Sequence, residues 1–311
     1  MNIINIENLT KVYGDFHALN ELNMQVEEGA IFGFLGPNGA GKTTTMRILT
    51  GLAKATSGSA SVAGVNLQED GSQLASHIGY LPEEPAFYPW MTPIEFLDYL
   101  GRLYGLPAEK RSSRIKELLQ LVNLGDSARR RIGGFSRGMR QRLGLAAALV
   151  NQPKVLLLDE PASALDPAGR KEVLEMIEGL QGKCTVLMST HILADVERVC
   201  DVIGIMDHGK MLTQAPRSEL LSRASVSIFE IEADEPAKLK TWMETKPEFS
   251  WLASAEYQDP VCRLVVSDID AARKALLPTL LGSGLTLTRY EECKPSLEDV
   301  FLHLVNGEER S

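Results

Sequence analysis

The chain has 311 residues, 44% hydrophobic and 23% charged, enough for real cores and for about two domains at roughly 150 residues each. A net charge of −9 argues against a nucleic-acid binder that relies on a broad basic face. Four scattered cysteines, Cys184, Cys200, Cys262 and Cys293, form no C-x-x-C pair, so they offer neither a zinc site nor a disulfide framework and suit a reducing compartment.

From the start, Met1 to Thr10 has no basic segment followed by an apolar stretch, so no secretory signal is expected. No apolar run approaches the roughly 20 residues that cross a bilayer; the best is Leu143 to Val150. The first two-thirds alternates short apolar runs with helical patterns. Ala30 to Leu35, Val155 to Leu158 and Thr185 to Met188 read as buried strands, each followed by a polar turn and a helix-like segment. That alternation predicts an α/β core with a largely parallel sheet. Between about 92 and 150 helical signals take over: Pro93 suits a first turn, and Ile115, Leu118, Leu119 and Val122 share one face. This predicts a helical insertion within a domain spanning 1–220. Beyond it, Ser225 to Ile231, Arg263 to Val266 and Leu285 to Tyr290 read as strands, and Pro236 to Glu244 and Ile269 to Leu281 as helices. The segment 221–311 is therefore expected to be a small α+β domain.

The strongest motif is Gly36-Pro37-Asn38-Gly39-Ala40-Gly41-Lys42-Thr43-Thr44, a G-x-x-x-x-G-K-[ST] loop set between a strand and a helix. Its glycines let backbone N–H groups curl around phosphate oxygens, and the following helix turns its positive end to the same anion. Lys42 can neutralise the β- and γ-phosphates, and the Thr43 hydroxyl can ligate Mg²⁺. The loop predicts a nucleoside triphosphate. A second signal is Val155-Leu156-Leu157-Leu158-Asp159-Glu160, an apolar strand that ends in two acids. Paired with the loop, Asp159 is placed to hold Mg²⁺ and Glu160 to orient or deprotonate the attacking water. A kinase or a GTPase would share Asp159 but gives no reason for the motifs that follow.

Phe135-Ser136-Arg137-Gly138-Met139-Arg140-Gln141-Arg142 precedes a strong helix for which Ser136 is a good N-cap. This octet resembles the LSGGQ signature of ATP-binding-cassette (ABC) ATPases. The resemblance implies a P-loop ABC-ATPase fold that hydrolyses ATP with Mg²⁺. It further implies a head-to-tail dimer in which Ser136 and Gly138 clamp the γ-phosphate bound by the other copy. Phe135, Arg137 and Met139 depart from the family pattern, which implies a retuned clamp. Tyr13 resembles the aromatic residue that stacks on adenine. Ser163-Ala164-Leu165-Asp166 resembles the D-loop that faces the partner, so Asp166 joins the nucleotide-contacting set. His191 resembles the switch histidine that contacts the γ-phosphate. Glu83 stands where the family usually places a glutamine that senses Mg²⁺. Its carboxylate can still ligate the metal but adds negative charge beside the triphosphate.

The resemblance covers about residues 1–220 and implies work on the cytoplasmic face of a membrane, bound peripherally to a separate permease. The run from Glu84 to Met91, with Phe87, Tyr88, Pro89 and Trp90, is either a docking surface for that partner or packing for the helical insertion. The tail Pro295-Ser296-Leu297-Glu298-Asp299-Val300-Phe301 resembles subunits that serve exporter permeases of the ABC-2 class, and points to export. Nothing in 221–311 reads as catalytic, which leaves a structural role, bracing the dimer, or a regulatory one. The competing expectation is a soluble ABC ATPase acting on the ribosome or DNA. The net charge and the single set of motifs speak against it, and no nucleic-acid partner is expected. A non-hydrolytic ATP sensor fits less well, because Glu160 and His191 are both in place.

Overall fold

A computed structural model describes the chain except residues 69–70, 164, 224–226, 247, 294–296 and 298–311. Two compact units form, Met1–Arg217 and Ser218–Ser311. In the first, β1 (Asn2–Tyr13), β2 (Phe16–Glu27), β3 (Ile31–Leu35), α1 (Lys42–Leu49), β4 (Ser57–Val62), β5 (Val65–Asn66) and β6 (Ile78–Leu81) follow in order. Three helices come next: α2 (Pro93–Leu103), α3 (Ala108–Leu121) and α4 (Arg137–Ala148). The chain then returns to alternation with β7 (Val155–Asp159), α5 (Pro167–Glu178), β8 (Thr185–Thr190), α6 (Leu193–Val199), β9 (Val202–Asp207) and β10 (Lys210–Pro216).

These strands make two sheets. One has the order β10-β9-β3-β8-β7-β6, parallel from β9 to β6, with β10 antiparallel at its edge. Every residue of β3, β7 and β8 is buried, which is why they read as unbroken apolar runs rather than alternating ones. The other sheet, β2-β1-β4-β5, is antiparallel and was not anticipated. Its side chains Ile4, Leu9, Leu19, Leu22 and Val62 share one core with Phe32, Phe34, Met46, Leu157 and Leu187. Helix α2 begins with a capping box between Thr92 and Glu95, with Pro93 at the first helical position.

The second unit continues from α7 (Arg217–Arg223), which starts at the boundary, through β11 (Ser227–Ala233), α8 (Pro236–Thr245), β12 (Leu252–Gln258), β13 (Val261–Val266), α9 (Ile269–Gly282) and β14 (Leu287–Cys293). Its sheet order is β12-β13-β11-β14, antiparallel throughout, which makes the βαββαβ run a ferredoxin-like split β-α-β fold. One face of the sheet packs Phe229, Ile231, Leu264 and Val266 against Leu239, Trp242, Leu276 and Leu280 of the two helices. On the other face Glu230, Glu232, Arg263 and Arg289 pair with one another. The tail motif 295–301 lies outside the described residues except for Leu297, and so does Ala164.

Candidate nucleotide site

Strand β3 delivers the chain to Gly36 at the C-terminal edge of the parallel sheet, where open α/β sheets hold ligands. A Cβ at Gly36 would lie 2.3 Å from the Met206 carbonyl oxygen, so only glycine fits there. Gly41 has φ +108°, and a Cβ on it would meet the Ala18 carbonyl oxygen at 2.6 Å. The loop is thus wedged against the antiparallel sheet on one side and β9 on the other. Pro37, Asn38 and Gly39 are exposed at its crest, and Ala40 is buried beneath them. Gly41 is the N-cap of α1, whose first residues are Lys42, Thr43 and Thr44.

Lys42 is buried, 6% exposed, and its ammonium donates to the carbonyls of Gly36 at 2.7 Å and Pro37 at 3.0 Å. It also stands 3.7 Å from a carboxylate oxygen of Glu160. Burial pushes the Lys42 ammonium below the ordinary lysine range, while the charges of Glu160, Asp159 and Glu83 push it back up. Three carboxylates therefore lie within electrostatic reach of one lysine, although Glu83 itself is exposed.

Asp159 is 1% exposed, and its Oδ1 accepts from the Ser189 hydroxyl at 2.6 Å and the Thr43 hydroxyl at 3.3 Å. Burial, helped by the Asp159 charge, pushes the neighbouring Tyr80 phenol up to about 12. Hydroxyl and carboxylate oxygens are the donor set that Mg²⁺ prefers, and this ion usually keeps several waters and takes phosphate oxygens as well. Among the described residues no group of three or more His, Cys, Asp or Glu side chains could hold a metal alone. Thr43 and Asp159 fit a metal that shares its shell with a nucleotide.

Glu160 has φ 49°, a left-handed backbone that is costly for a residue with a side chain. The strain is held in place because its N–H donates to the Ser189 carbonyl at 3.2 Å and hydroxyl oxygen at 3.1 Å. Its carboxylate Oε2 lies 2.9 Å from Nδ1 of His191, a ring that remains 43% exposed. Lys42, Thr43, Asp159, Glu160 and His191 therefore meet at one sheet edge. Ser189 binds two of them and was not singled out from sequence; the only signal was a polar Ser-Thr pair ending an apolar strand.

The remaining candidates stand apart from that cluster. Ser136 caps α4 by accepting from the Met139 N–H at 3.2 Å, and its other hydrogen bond, to Arg140, also stays within that helix. A Cβ on Gly138 would meet nothing nearer than Leu165 at 4.0 Å, so the signature lies beside the D-loop segment. Asp166 is exposed at the start of α5. Tyr13 ends β1, 48% exposed, with the Lys11 ammonium 4.7 Å from its ring centre and Phe16 as its cross-strand partner. The aromatic run divides: Phe87 packs edge-on against Phe96 at 5.1 Å, whereas Trp90 is 63% exposed beside Tyr88.

Comparison with known proteins gives the family. The ABC transporter family matches over residues 19–163, and the C-terminal domain of DrrA1-3-like ATP-binding proteins over 216–305. The ABC transporter ATP-binding protein YxlF of Bacillus subtilis is 43% identical over 306 residues, spanning 98% of this chain and 100% of the relative. The chain belongs to the family of ABC transporter ATP-binding proteins. This ABC protein is accordingly an ATPase on a P-loop α/β fold. It is also 36% identical over 307 residues to the bacitracin transport ATP-binding protein BcrA of Bacillus licheniformis, spanning 98% of each chain. A solved dimeric ATP-binding cassette in a post-hydrolysis state, bound to ADP and Pi, is similar with a TM-score of 0.62 and 26% identity, covering 68% of this chain and 98% of that one. No described helix is long and apolar enough to cross a membrane.

Proposed function

We propose that this ATPase powers export of a substrate through a separate ABC-2-type membrane permease, working as a homodimer on the cytoplasmic face. The observation that carries the proposal is the joint placement of Lys42, Thr43, Asp159, Glu160 and His191 at one sheet edge, with Ser136 and Gly138 making no hydrogen bond to residues 36–44. A signature that does not serve its own loop suits a second copy facing it, and the similar dimeric cassette supports that arrangement.

In this reading the loop Gly36 to Thr44 binds the phosphates and Tyr13 stacks on the adenine. Lys42 leaves the loop carbonyls to neutralise the β- and γ-phosphates. Mg²⁺ supplies further charge neutralisation when bound by Thr43 and Asp159, with Glu83 near it. Glu160, held by Ser189 and paired with His191, orients the attacking water and takes its proton. Ser136, Gly138 and Asp166 of the second copy complete the site. The exposed Tyr88 and Trp90 present an aromatic surface to the permease. Export in particular is supported by the tail resemblance at 295–301 and by the likeness to a bacitracin transport protein.

The test uses tagged Glu160→Gln protein purified from detergent-solubilised membranes with ATP and Mg²⁺. The expected result is a long-lived dimer on gel filtration, accompanied by a stoichiometric polytopic membrane protein. Recovery from the soluble fraction with ribosomes or DNA would overturn the transport reading in favour of a soluble ABC ATPase.

A further inference from the structure

Near the Glu160–His191 pair lies an ion pair between Arg170 and Asp195. Asp195, in the first turn of α6, is 2% exposed, and its Oδ1 accepts from Nε of Arg170 at 2.6 Å. Arg170 sits in the first turn of α5, where its own N–H donates to the carbonyl of Asp166. One residue is therefore four positions beyond His191, and the other four beyond the end of the D-loop segment. A cavity of about 370 Å³, lined by Leu165, Leu174, Ala194 and Arg198 among others, opens beside the pair. The ion pair joins the first turns of α5 and α6, and a second pair, Arg198 with Glu175 at 3.0 Å, joins the same two helices further along.

His191 needs such a tie. Its ring is 43% exposed, and its side-chain anchor is the bond to Glu160. Between β8 and α6 only His191 and Ile192 intervene, so the start of α6 sets where the imidazole stands. Energetics points the same way. Burial pushes the Asp195 carboxyl above the ordinary aspartate range despite Arg170, so the ionised pair is kept at a cost to stability. The charges of Glu160 and His191 both reach Asp195.

We propose that Arg170 and Asp195 are positioning residues for hydrolysis: they lock the start of α6, and with it His191, to the helix that follows the D-loop. A displacement of the segment around Asp166 is then carried through Arg170 to His191. This rests on the reading of Glu160 and His191 given above. Neither residue belongs to the set assigned above to nucleotide or metal, so the effect is expected on turnover and not on ATP binding.

The experiment is a double-mutant cycle on the full chain, with Mg-ATP hydrolysis measured for wild type, Asp195→Asn, His191→Ala and the double variant. Asp195→Asn alone is expected to lower kcat about tenfold with KM changed by less than about twofold, the signature of misplaced machinery. In the His191→Ala background the same substitution is expected to cost nothing further, because its effect passes through the imidazole. An equal loss in both backgrounds, or no loss in either, would overturn the proposal. Full turnover by His191→Ala would instead overturn the reading of the site on which it rests. Arg170→Lys keeps the charge but loses the planar fork, and is expected to fall between wild type and Asp195→Asn in kcat. Should Asp195→Asn fail to fold, the same cycle run with Arg170→Lys decides the matter.

Discussion

Single residues here carry more than one duty, and Asp195 exposes the conflict between them. Its carboxyl is raised above the ordinary aspartate range, chiefly by burial. Between that ordinary range and the folded value, the native state holds more protons than the unfolded one. Stability from this group is therefore full below the ordinary range and is lost as pH rises through the folded value. Asn mimics the neutral acid and escapes the loss. In urea melts from mildly acid to neutral pH, the midpoint of Asp195→Asn should rise relative to wild type as pH increases. A flat or opposite difference would mean that Arg170 outweighs burial. The same residue is thus expected to be better for stability as Asn and better for turnover as Asp. Lys42 shows a related tension: burial disfavours its charge, and the charges of Glu160, Asp159 and Glu83 restore it.

Between elements, close approach decides which residues are allowed. Strand β6 runs beside β7 and under the end of α4, and a Cβ on Gly79 would lie 1.9 Å from the Ala148 carbonyl oxygen. Gly144 meets the same crowding from Leu81 and Pro85. Helix α4 carries the signature at its other end, so this contact sets the base from which Ser136 and Gly138 project. Gly79→Ala must push strand and helix apart, and overpacking of this kind costs about 1–3 kcal/mol. The expected outcome is a lower urea midpoint for the first unit, read by backbone circular dichroism. An unchanged midpoint would show that α4 can shift without loss. The antiparallel β1–β2 pair acts at the same scale, because Ala18 and Leu19 line the underside of the phosphate loop at Gly41.

At the scale of the molecule, among the described residues, one core gathers around Phe32, Phe34 and Leu157 in the first unit, and another that shares no member with it gathers around Phe229, Leu264 and Leu276 in the second. Separate cores are expected to melt separately. Leu264 is 0% exposed, and truncating such a leucine costs about 2–5 kcal/mol. Leu264→Ala should lower one calorimetric transition and leave the other, together with the midpoint stabilised by ATP, in place. If both transitions shift together, the two units unfold as one.

Much of the molecule was legible in the amino-acid order because its chemistry is local. The phosphate loop, the Asp159–Glu160 pair, the cap at Ser136 and the buried strands β3, β7 and β8 each depend on neighbours within a few residues. So do the helices of the second unit: Pro236 opens α8 where expected, and α9 runs from Ile269 to Gly282. Tertiary structure alone decided the rest. The antiparallel sheet is not legible in the sequence because β1 is interrupted by register shifts that blur its period of two. Ser189 became part of the site only when β8 was set beside β7, and Arg170 met Asp195 across 25 residues of sequence. In the run 87–90, Phe87 is half-buried against Phe96 while Tyr88, Pro89 and Trp90 stay exposed, a difference that only the fold decides. Local propensity and motif spacing are written along the chain. Charge pairing, burial and close backbone approach depend on distances that exist only after folding.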